Sequence, residues 1–239
     1  MEYGWRHRAD FDAWRAAGKH FLYVDLGYWG RRAFRGDYSG IHKVVLDARH
    51  ATGYFRRGRP ADRLAGAPVI KPWRESTSPG GHVVLAGLSA KGAHSCGLAP
   101  YEWERRTIAA LRRVTARPIL YRPKPSWAEA RPIPGGERDG VGFSPASEPL
   151  EAALEGAHAL VTCHSNAALD ALCAGIPVCA EEGLASVMAT PLEEIETPQR
   201  PAEGAREQLL ADISYTHFAR AEIVSGAMLR QFLEDGLIE

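Results

Sequence analysis

The sequence predicts an α/β protein that contains a parallel, Rossmann-type sheet and a smaller α/β part ahead of it. From residue 82 onward, short apolar runs alternate with helical patterns, an order typical of parallel strands joined by right-handed crossovers. A stretch rich in Pro, Ser and Gly at 72–81 separates this region from the residues before it. We therefore divide the chain into an N-terminal part (1–78), a Rossmann-like domain (79–204) and C-terminal helices (205–239).

The composition of the chain limits its class. With 239 residues it can bury a sizeable core, and no low-complexity tract indicates disorder. Its formal net charge is zero, but residues 1–75 hold 15 Lys and Arg against 8 Asp and Glu, whereas the remaining residues hold 14 against 21. The basic N-terminal part is therefore a candidate surface for DNA, although arginine also serves ordinary fold surfaces.

The four cysteines, at 96, 163, 173 and 179, form no C-x-x-C pair, and three of them lie in or beside one apolar segment. This distribution is typical of buried thiols in a reducing compartment. The first twenty residues contain no apolar core like that of a signal peptide, and no later run approaches membrane-spanning length. We therefore expect a cytoplasmic protein without a membrane span.

The N-terminal part begins with a helical pattern at 9–18 and an apolar strand pattern at 21–26. Asp25 lies near the end of this strand, so its carboxylate is a candidate base that takes a proton from an acceptor hydroxyl. A strand-end cap is the ordinary alternative. A second strand pattern at 41–47 contains His42, which is either an acid–base candidate or a structural histidine.

The loop after the first strand combines glycine with aromatic and basic residues. Loops of this composition are suited to binding, and we predict that four of its side chains contact the acceptor. These are Tyr28, Trp29, Arg31 and Arg32. The segment 54–59 also interleaves aromatic rings with arginines, a combination that can stack on bases and neutralise phosphates. Its alternative interpretation is a polar connection that leads to a short strand at 67–70.

The predicted Rossmann-like domain starts with a strand pattern at 82–86 that runs into a loop of small residues with one lysine. The N–H groups of such a loop can approach a diphosphate, which makes Gly87 and Ser89 candidate donor-binding residues, although no P-loop spacing is present. A helix is predicted at 103–114 and a strand at 118–121. That strand leads into Arg122 and Lys124, two cations suited to phosphate. Proline and glycine then dominate 123–149, which predicts a long loop.

Residues 158–179 have the pattern strand, turn, helix, turn, strand. The turn holds His164, Ser165 and Asn166, at a helix start whose N–H groups favour an anion such as phosphate. Asn166 and Asp170 lie four residues apart on one helix face, so the Asp170 carboxylate can bind a diol beside that anion. Phosphate plus diol describes a nucleotide. The alternative is an ordinary β–α–β unit whose capped helix stops at Gly175.

Several stretches of the chain resemble glycosyltransferases. The string Ser-Asn-Ala-Ala-Leu-Asp-Ala-Leu-Cys-Ala-Gly-Ile-Pro at 165–177 resembles the S-x-x-x-x-E-A-L-x-x-G-x-P segment in the nucleotide-sugar half of GT-B glycosyltransferases, including capsule-type transferases, with Asp170 in place of Glu. Arg-Pro-Lys-Pro at 122–125 resembles their R-P-H-P strand end, with Lys124 in place of His. Residues 215–226 resemble their closing helix. The strings at 23–31 and 39–45 are similar to the N-terminal part of bacteriophage glycosyltransferase-like proteins.

The resemblance implies a GT-B-like fold and a glycosyltransferase that uses a UDP- or GDP-sugar, with no cofactor and no metal. Asp170 would bind the ribose of the donor. The diphosphate would contact Gly87, Ser89, Arg122, Lys124, His164, Ser165 and Asn166.

The favoured acceptor is a hydroxymethylated pyrimidine in bacteriophage DNA, which implies a location in the host cytoplasm. The alternatives are a surface-polysaccharide transferase, a sugar-nucleotide hydrolase or epimerase, and a non-catalytic nucleotide- or DNA-binding module.

Overall fold

The computed structural model describes residues 8–30, 40–74, 81–127 and 129–238. The chain divides into two compact units, which we call the split unit (1–68 with 204–239) and the Rossmann-like unit (69–203). The strands are β1 (Leu22–Leu26), β2 (Ile41–Leu46), β3 (His82–Ala86), β4 (Ile119–Arg122), β5 (Val141–Phe143), β6 (Ala157–Thr162), β7 (Val178–Ala180) and β8 (His217–Ala219). The helices are α1 (Arg8–Ala16), α2 (Ala90–Ser95), α3 (Glu102–Val114), α4 (Leu150–Leu154), α5 (Ala167–Cys173), α6 (Ala205–Ser214), α7 (Arg220–Val224) and α8 (Ala227–Glu234).

The Rossmann-like unit is built on a five-stranded sheet in the order β5-β4-β3-β6-β7, and every pair of neighbours is parallel. Strand β6 is buried along its whole length, as expected for a parallel strand covered on both faces. The core combines strand residues such as Leu85 and Val161 with Leu111 of α3. The predicted α/β fold class with a parallel Rossmann-type sheet is therefore confirmed.

Two local predictions for the Rossmann-like unit are wrong. Strand β5 lies inside 123–149, where the sequence predicts only a loop. It has three residues with Gly142 in the middle, too short a run to show a strand pattern against the surrounding prolines. The strand predicted at 67–70 is irregular chain. Next to it, the Lys71 N–H donates to the Cys173 carbonyl at 2.7 Å, so the following segment runs against the end of α5 instead of joining a sheet.

The split unit contains an antiparallel sheet in the order β1-β2-β8. Its third strand comes from the far end of the chain, because β8 pairs with β2 and sets His42 opposite Phe218. A small apolar core of Val44, Phe218, Met228 and Phe232 lies beside the sheet. Residues 205–239, which the sequence sets apart as C-terminal helices, thus belong to the same unit as the N-terminal residues.

The C-terminal helical pattern is interrupted in the structure. After α6 the Thr216 carbonyl accepts a hydrogen bond from the Val44 N–H at 2.8 Å, and β8 follows. Gly226, with a φ of 75°, then separates α7 from α8. The sequence pattern does not predict β8, because a strand of three residues is too short to show an alternation of apolar and polar residues. Across the described residues, no helix combines the length and apolar composition needed to cross a membrane.

Candidate functional site

The order of strands in the Rossmann-like unit reverses between β3 and β6. From β3 the chain builds outward to β4 and β5, and then returns to add β6 and β7 on the other side. Ala86 lies opposite both Arg122 and Thr162 in the register, and the Thr162 hydroxyl donates to the Ala86 carbonyl at 2.8 Å. We call the carboxyl ends of β3, β4 and β6 the switch edge. Open α/β sheets bind ligands at such a reversal.

The switch edge brings together the loops that hold the predicted donor-binding residues. Gly87 follows β3 and its N–H donates to the Arg122 carbonyl at 3.0 Å. Lys124 follows β4, and His164, Ser165 and Asn166 follow β6. The sequence predicted these positions from separate local patterns, and the sheet topology places the patterns on adjacent strands. Their contact with a donor stays a prediction.

The loop after β3 is fixed by a carboxylate that the sequence analysis missed. Glu104 of α3 is completely buried, and its Oε1 accepts a hydrogen bond from the Leu88 N–H at 2.7 Å. A Cβ on Gly87 would lie 2.7 Å from the same oxygen and 2.6 Å from Tyr121 Cε2, so glycine is required there. Burial raises the pKa of Glu104. Its spacing from Ile108 and Leu111, on the apolar face of the helix, was the available signal.

Ser89 and Arg122 both have structural partners within this unit. Ser89 is the N-cap of α2, and its hydroxyl accepts a hydrogen bond from the Gly92 N–H at 3.1 Å. Arg122 is buried, and its guanidinium donates to the Ser144 hydroxyl at 3.0 Å and to the Glu148 carbonyl at 2.6 Å. Burial lowers the pKa of this guanidinium. The exposed cation at this strand end is Lys124.

The turn before α5 is partly closed by its own hydrogen bonds. The Ser165 N–H donates to the Thr162 hydroxyl at 3.2 Å, and the Ala167 N–H donates to the Ser165 hydroxyl at 3.2 Å. Within the described residues the Asn166 side chain makes no cap bond, so Ser165 is the residue that caps the turn. Asn166 and Asp170 are half-buried, and the helix ends ahead of Gly175, whose φ is 79°. The predicted strand, turn and helix are confirmed.

Two cysteines and a histidine meet at the same edge. Cys96 directly follows α2, Cys163 directly follows β6, and His164 is next in the chain. Their Sγ and ring nitrogen atoms all lie within 4.8 Å of one another. Burial, together with the nearby Glu181 carboxylate, raises the pKa of the Cys163 thiol. No sequence motif predicts this group, because its members lie on different elements and have no C-x-x-C spacing.

The two predicted catalytic residues lie on paired strands of the split unit. Asp25 lies opposite Lys43; its Oδ2 accepts a hydrogen bond from the Tyr23 hydroxyl at 3.1 Å, and its Oδ1 accepts one from the Leu26 N–H at 2.8 Å. The second bond is the strand-end cap that the sequence analysis offered as the alternative. His42 is buried opposite Leu26. Their catalytic roles stay predictions.

The predicted acceptor-binding aromatics are part of the interior of the split unit. Tyr28 and Trp29 are 4% and 6% exposed, and both rings pack against His217. The Tyr28 N–H donates to His217 Nε2 at 3.0 Å, and burial lowers the pKa of His217 to about 3. The rings therefore do not stand out in an exposed loop, contrary to what the composition suggested. Arg31 and Arg32 lie outside the described residues.

Arginines after the second strand divide into paired and exposed ones. Arg59 pairs with Asp235 at 2.5 Å, and Arg63 pairs with Glu222 at 2.8 Å. Both guanidinium groups also lie over the ring of Tyr215. Part of the basic excess of the N-terminal sequence is therefore neutralised inside the split unit. DNA binding stays a prediction.

Comparison with known proteins gives similarity to solved structures only. No protein-family description matches the sequence, and no curated protein matches it. The chain is similar to the solved structure of Thermosulfurimonas dismutans KpsC, beta Kdo 2,4 transferase, at 14% sequence identity and a TM-score of 0.46, over 89% of this chain and 78% of that chain.

The switch edge offers cations, hydroxyls and carboxylates on three adjacent strands of one rigid sheet. Lys124 can contact an anionic group, while the half-buried Asn166 and Asp170 can bind hydroxyls or amides from the same side of a helix. The hydrogen bond from the Leu88 N–H to the Glu104 carboxylate holds the loop after β3 in place. This arrangement is suited to binding a ligand that carries both negative charge and hydroxyl groups.

Proposed function

We propose that this chain is a glycosyltransferase that moves a sugar from a nucleotide-sugar donor to an acceptor hydroxyl. The observation that carries the proposal is the reversal of strand order at β3 and β6, which aligns the loop after β3, Lys124 and the turn at 164–166. Ligand binding at such a reversal is the rule for open α/β sheets. The resemblance of 165–177 to the donor half of GT-B glycosyltransferases supports a sugar nucleotide as the ligand.

Different residues at the switch edge contact different parts of the donor. Lys124 contacts the diphosphate and stabilises the negative charge that develops on it as the sugar leaves. Asp170 accepts hydrogen bonds from the ribose hydroxyls, and Asn166 lies on the same helix face. Arg122 and Ser89 act by fixing the loops around the donor, since their described hydrogen bonds are to the protein itself.

Thermal melting with added ligands tests the donor site. A UDP- or GDP-sugar at 100 times its Kd should stabilise the protein by about 2.7 kcal/mol. Lys124→Ala should weaken the stabilisation by the nucleotide diphosphate and its sugar ester, and Asp170→Asn should weaken stabilisation by every ribonucleotide. Arg113→Ala, which removes an exposed cation from the end of α3, is the matched control and should leave the shift unchanged. Absence of any shift with all sugar nucleotides would remove the donor proposal.

For the acceptor we propose a hydroxymethylated pyrimidine in bacteriophage DNA. The support is the basic excess of residues 1–75, the phage-type resemblance, and exposed Arg56 and Arg57 beside the Phe55 and Tyr54 rings. The target base must be unstacked or flipped out, because its hydroxymethyl group needs room beside the donor. Asp25 or His42 would then take the proton of the hydroxyl.

A labelled donor offered with hydroxymethylated DNA, unmodified DNA and an oligosaccharide tests the acceptor. Label in hydroxymethylated DNA alone supports the proposal, and label only in the oligosaccharide excludes DNA in favour of a polysaccharide acceptor. Free labelled sugar without any acceptor would indicate a hydrolase. Donor binding without turnover of any substrate would indicate a non-catalytic module. If Asp25→Asn and His42→Ala both keep full turnover, neither residue is the base.

A further inference from the structure

A second set of side chains meets at the switch edge, and it shares only His164 with the residues predicted to bind the donor. Cys96, Cys163 and His164 bring two sulfur atoms and a ring nitrogen within 4.8 Å of one another. Cys163 and His164 are 6% and 5% exposed, whereas Cys96 is half-buried. Thiolate and imidazole are the ligands that zinc and other thiophilic cations prefer.

The spacing of these atoms fits a tetrahedral metal site. With Zn–S bonds of about 2.3 Å and Zn–N bonds of about 2.0–2.1 Å, neighbouring ligand atoms in a tetrahedron lie roughly 3.5–3.8 Å apart. The observed upper limit of 4.8 Å is therefore about 1 Å larger than a closed site needs. Binding of a metal would therefore have to draw the ligand atoms together by about 1 Å.

The backbone that carries the ligands is fixed from the neighbouring strand. The Glu182 N–H donates to the Cys163 carbonyl at 2.7 Å, immediately after β7. Gly183 approaches the His164 backbone so closely that a Cβ there would lie 3.2 Å from His164 Cα. A metal site needs ligands held in place before the ion arrives, and these two contacts hold the 163–164 pair.

The Glu181 carboxylate lies beside Cys163, outside the group of three atoms that are within 4.8 Å of one another. It accepts a hydrogen bond from the Cys163 thiol, and its Oε1 accepts another from the Trp103 indole N–H at 2.8 Å. The indole fixes the orientation of the carboxylate toward the sulfur. Carboxylate oxygen is an accepted zinc ligand, and carboxylates next to a ligand also tune metal affinity.

We propose that Cys96, Cys163 and His164 bind one zinc ion or a similar thiophilic divalent cation, with Glu181 completing a four-coordinate site. The ion would tie the end of α2 to the ends of β6 and β7, and so stiffen the loops around the switch edge. This inference does not depend on the proposed glycosyltransferase function, because it rests on the ligand set alone.

Metal titration of the purified 239-residue chain tests the site directly. The reduced protein is stripped with a chelator and titrated with Co²⁺, then with Zn²⁺. One equivalent of Co²⁺ should produce thiolate-to-metal charge-transfer absorption and the visible bands of a tetrahedral complex, and Zn²⁺ should abolish both. The chain offers matched controls, because Cys173 and Cys179 are buried cysteines outside the cluster. Cys173→Ser and Cys179→Ser should keep the spectrum, whereas Cys96→Ser should lose about half of the charge-transfer intensity and most of the affinity.

Glu181→Gln separates the proposed fourth ligand from the other three. It should keep the charge-transfer absorption but bind Zn²⁺ about 10–100-fold more weakly. A measurement without any variant guards against a misfolded mutant: Zn²⁺ should slow alkylation of the half-buried Cys96 in the wild-type chain. Equal Zn²⁺ affinity in Cys96→Ser and wild type overturns the proposal. The proposal is also overturned if Cys96 and Cys163 form a disulfide and the protein binds no metal after that disulfide has been reduced. If a sugar nucleotide still raises the melting temperature after the metal has been removed, the donor proposal stands whatever the outcome of the metal titration.

Discussion

Both units of this protein bury apolar and polar side chains, but the buried polar contacts of the split unit join segments that are much farther apart in the sequence. In the Rossmann-like unit, the core is a contiguous apolar cluster that includes Leu85, Leu111 and Val161. In the split unit, the carboxylate of fully buried Asp212 accepts hydrogen bonds from the Arg57 and Arg59 N–H groups, 155 and 153 residues away, and buried His217 accepts one from the Tyr28 N–H, 189 residues away. The stabilisation that apolar burial provides is roughly proportional to the buried area and depends little on individual contacts. A buried polar group, in contrast, stabilises the fold only when all of its hydrogen-bond partners are present.

This difference explains which unit could be predicted from sequence. The parallel sheet follows from patterns that repeat locally, since helices separate β3 from β4, β5 from β6 and β6 from β7, and right-handed crossovers decide the rest. The split unit depends on β2 pairing with β8 across most of the chain, and on single polar residues that show no periodicity. We therefore expect point substitutions of polar residues to be most damaging in the split unit.

The largest expected effect is that of Asp212→Ala. The Asp212 carboxylate accepts hydrogen bonds from the Arg57 and Arg59 N–H groups at 3.2 and 2.8 Å, and from the Gln208 amide at 2.9 Å. Removing it leaves partly buried N–H groups without an acceptor, at about 3 kcal/mol or more in the free energy of unfolding. Denaturant unfolding, with hydrogen exchange of the Arg59 amide as the local probe, measures the loss.

The matched control is Asp62→Ala, because Asp62 is an exposed aspartate in the same unit that accepts one hydrogen bond, from the Tyr215 hydroxyl at 3.0 Å. Its loss should change stability by less than about 1 kcal/mol. Asp212→Asn, which keeps one acceptor oxygen, should fall between the two. Equal effects for Asp212→Ala and Asp62→Ala would contradict the idea that buried polar anchors hold the split unit.

A smaller effect is expected from Gly175→Ala in the Rossmann-like unit. A Cβ at this position would lie 2.1 Å from the Pro72 carbonyl oxygen, and φ is 79°. Left-handed strain of about 1–2 kcal/mol and overpacking of about 1–3 kcal/mol add to roughly 2–5 kcal/mol. Hydrogen exchange of the Lys71 amide, which donates to the Cys173 carbonyl, should report the displacement.

Gly156→Ala measures the left-handed strain without the overpacking, so the difference between the two alanine variants gives the part that comes from packing. Gly156 has a φ of 67°, and a Cβ there would meet nothing within 4 Å. It should lose only the strain of about 1–2 kcal/mol. If the two alanine variants are equally stable, then the segment around Pro72 moves away without penalty and the close packing at the end of α5 contributes little.

The candidate site was predictable in position but not in its supporting contacts. Strand ends and turn residues placed Gly87, Lys124 and Asn166, and topology then set them on one edge. Glu104 was missed because an acidic residue on an amphipathic helix usually faces solvent. Only its position on the apolar face of α3 indicates that it is buried. Cys96 was missed because its contact with Cys163 depends on where α2 ends over the sheet. Such contacts are three-dimensional, so no spacing in the sequence encodes them.

The smallest effect is a pH dependence of the split unit that comes from His217. Its Nε2 accepts a hydrogen bond from the Tyr28 N–H, and burial, helped by Lys43 and Arg63, lowers its pKa from 6.5 to about 3. Between these two pH values the unfolded chain binds a proton that the folded unit excludes, so stability is lost as the pH falls below about 6.5. Between pH 7 and pH 5 this one histidine should lower the free energy of unfolding by about 2 kcal/mol. His217→Gln, which does not titrate, should lessen the fall over this interval by that amount. Equal pH profiles for wild type and His217→Gln would mean that His217 is protonated in the folded unit, which the Tyr28 hydrogen bond to Nε2 does not allow.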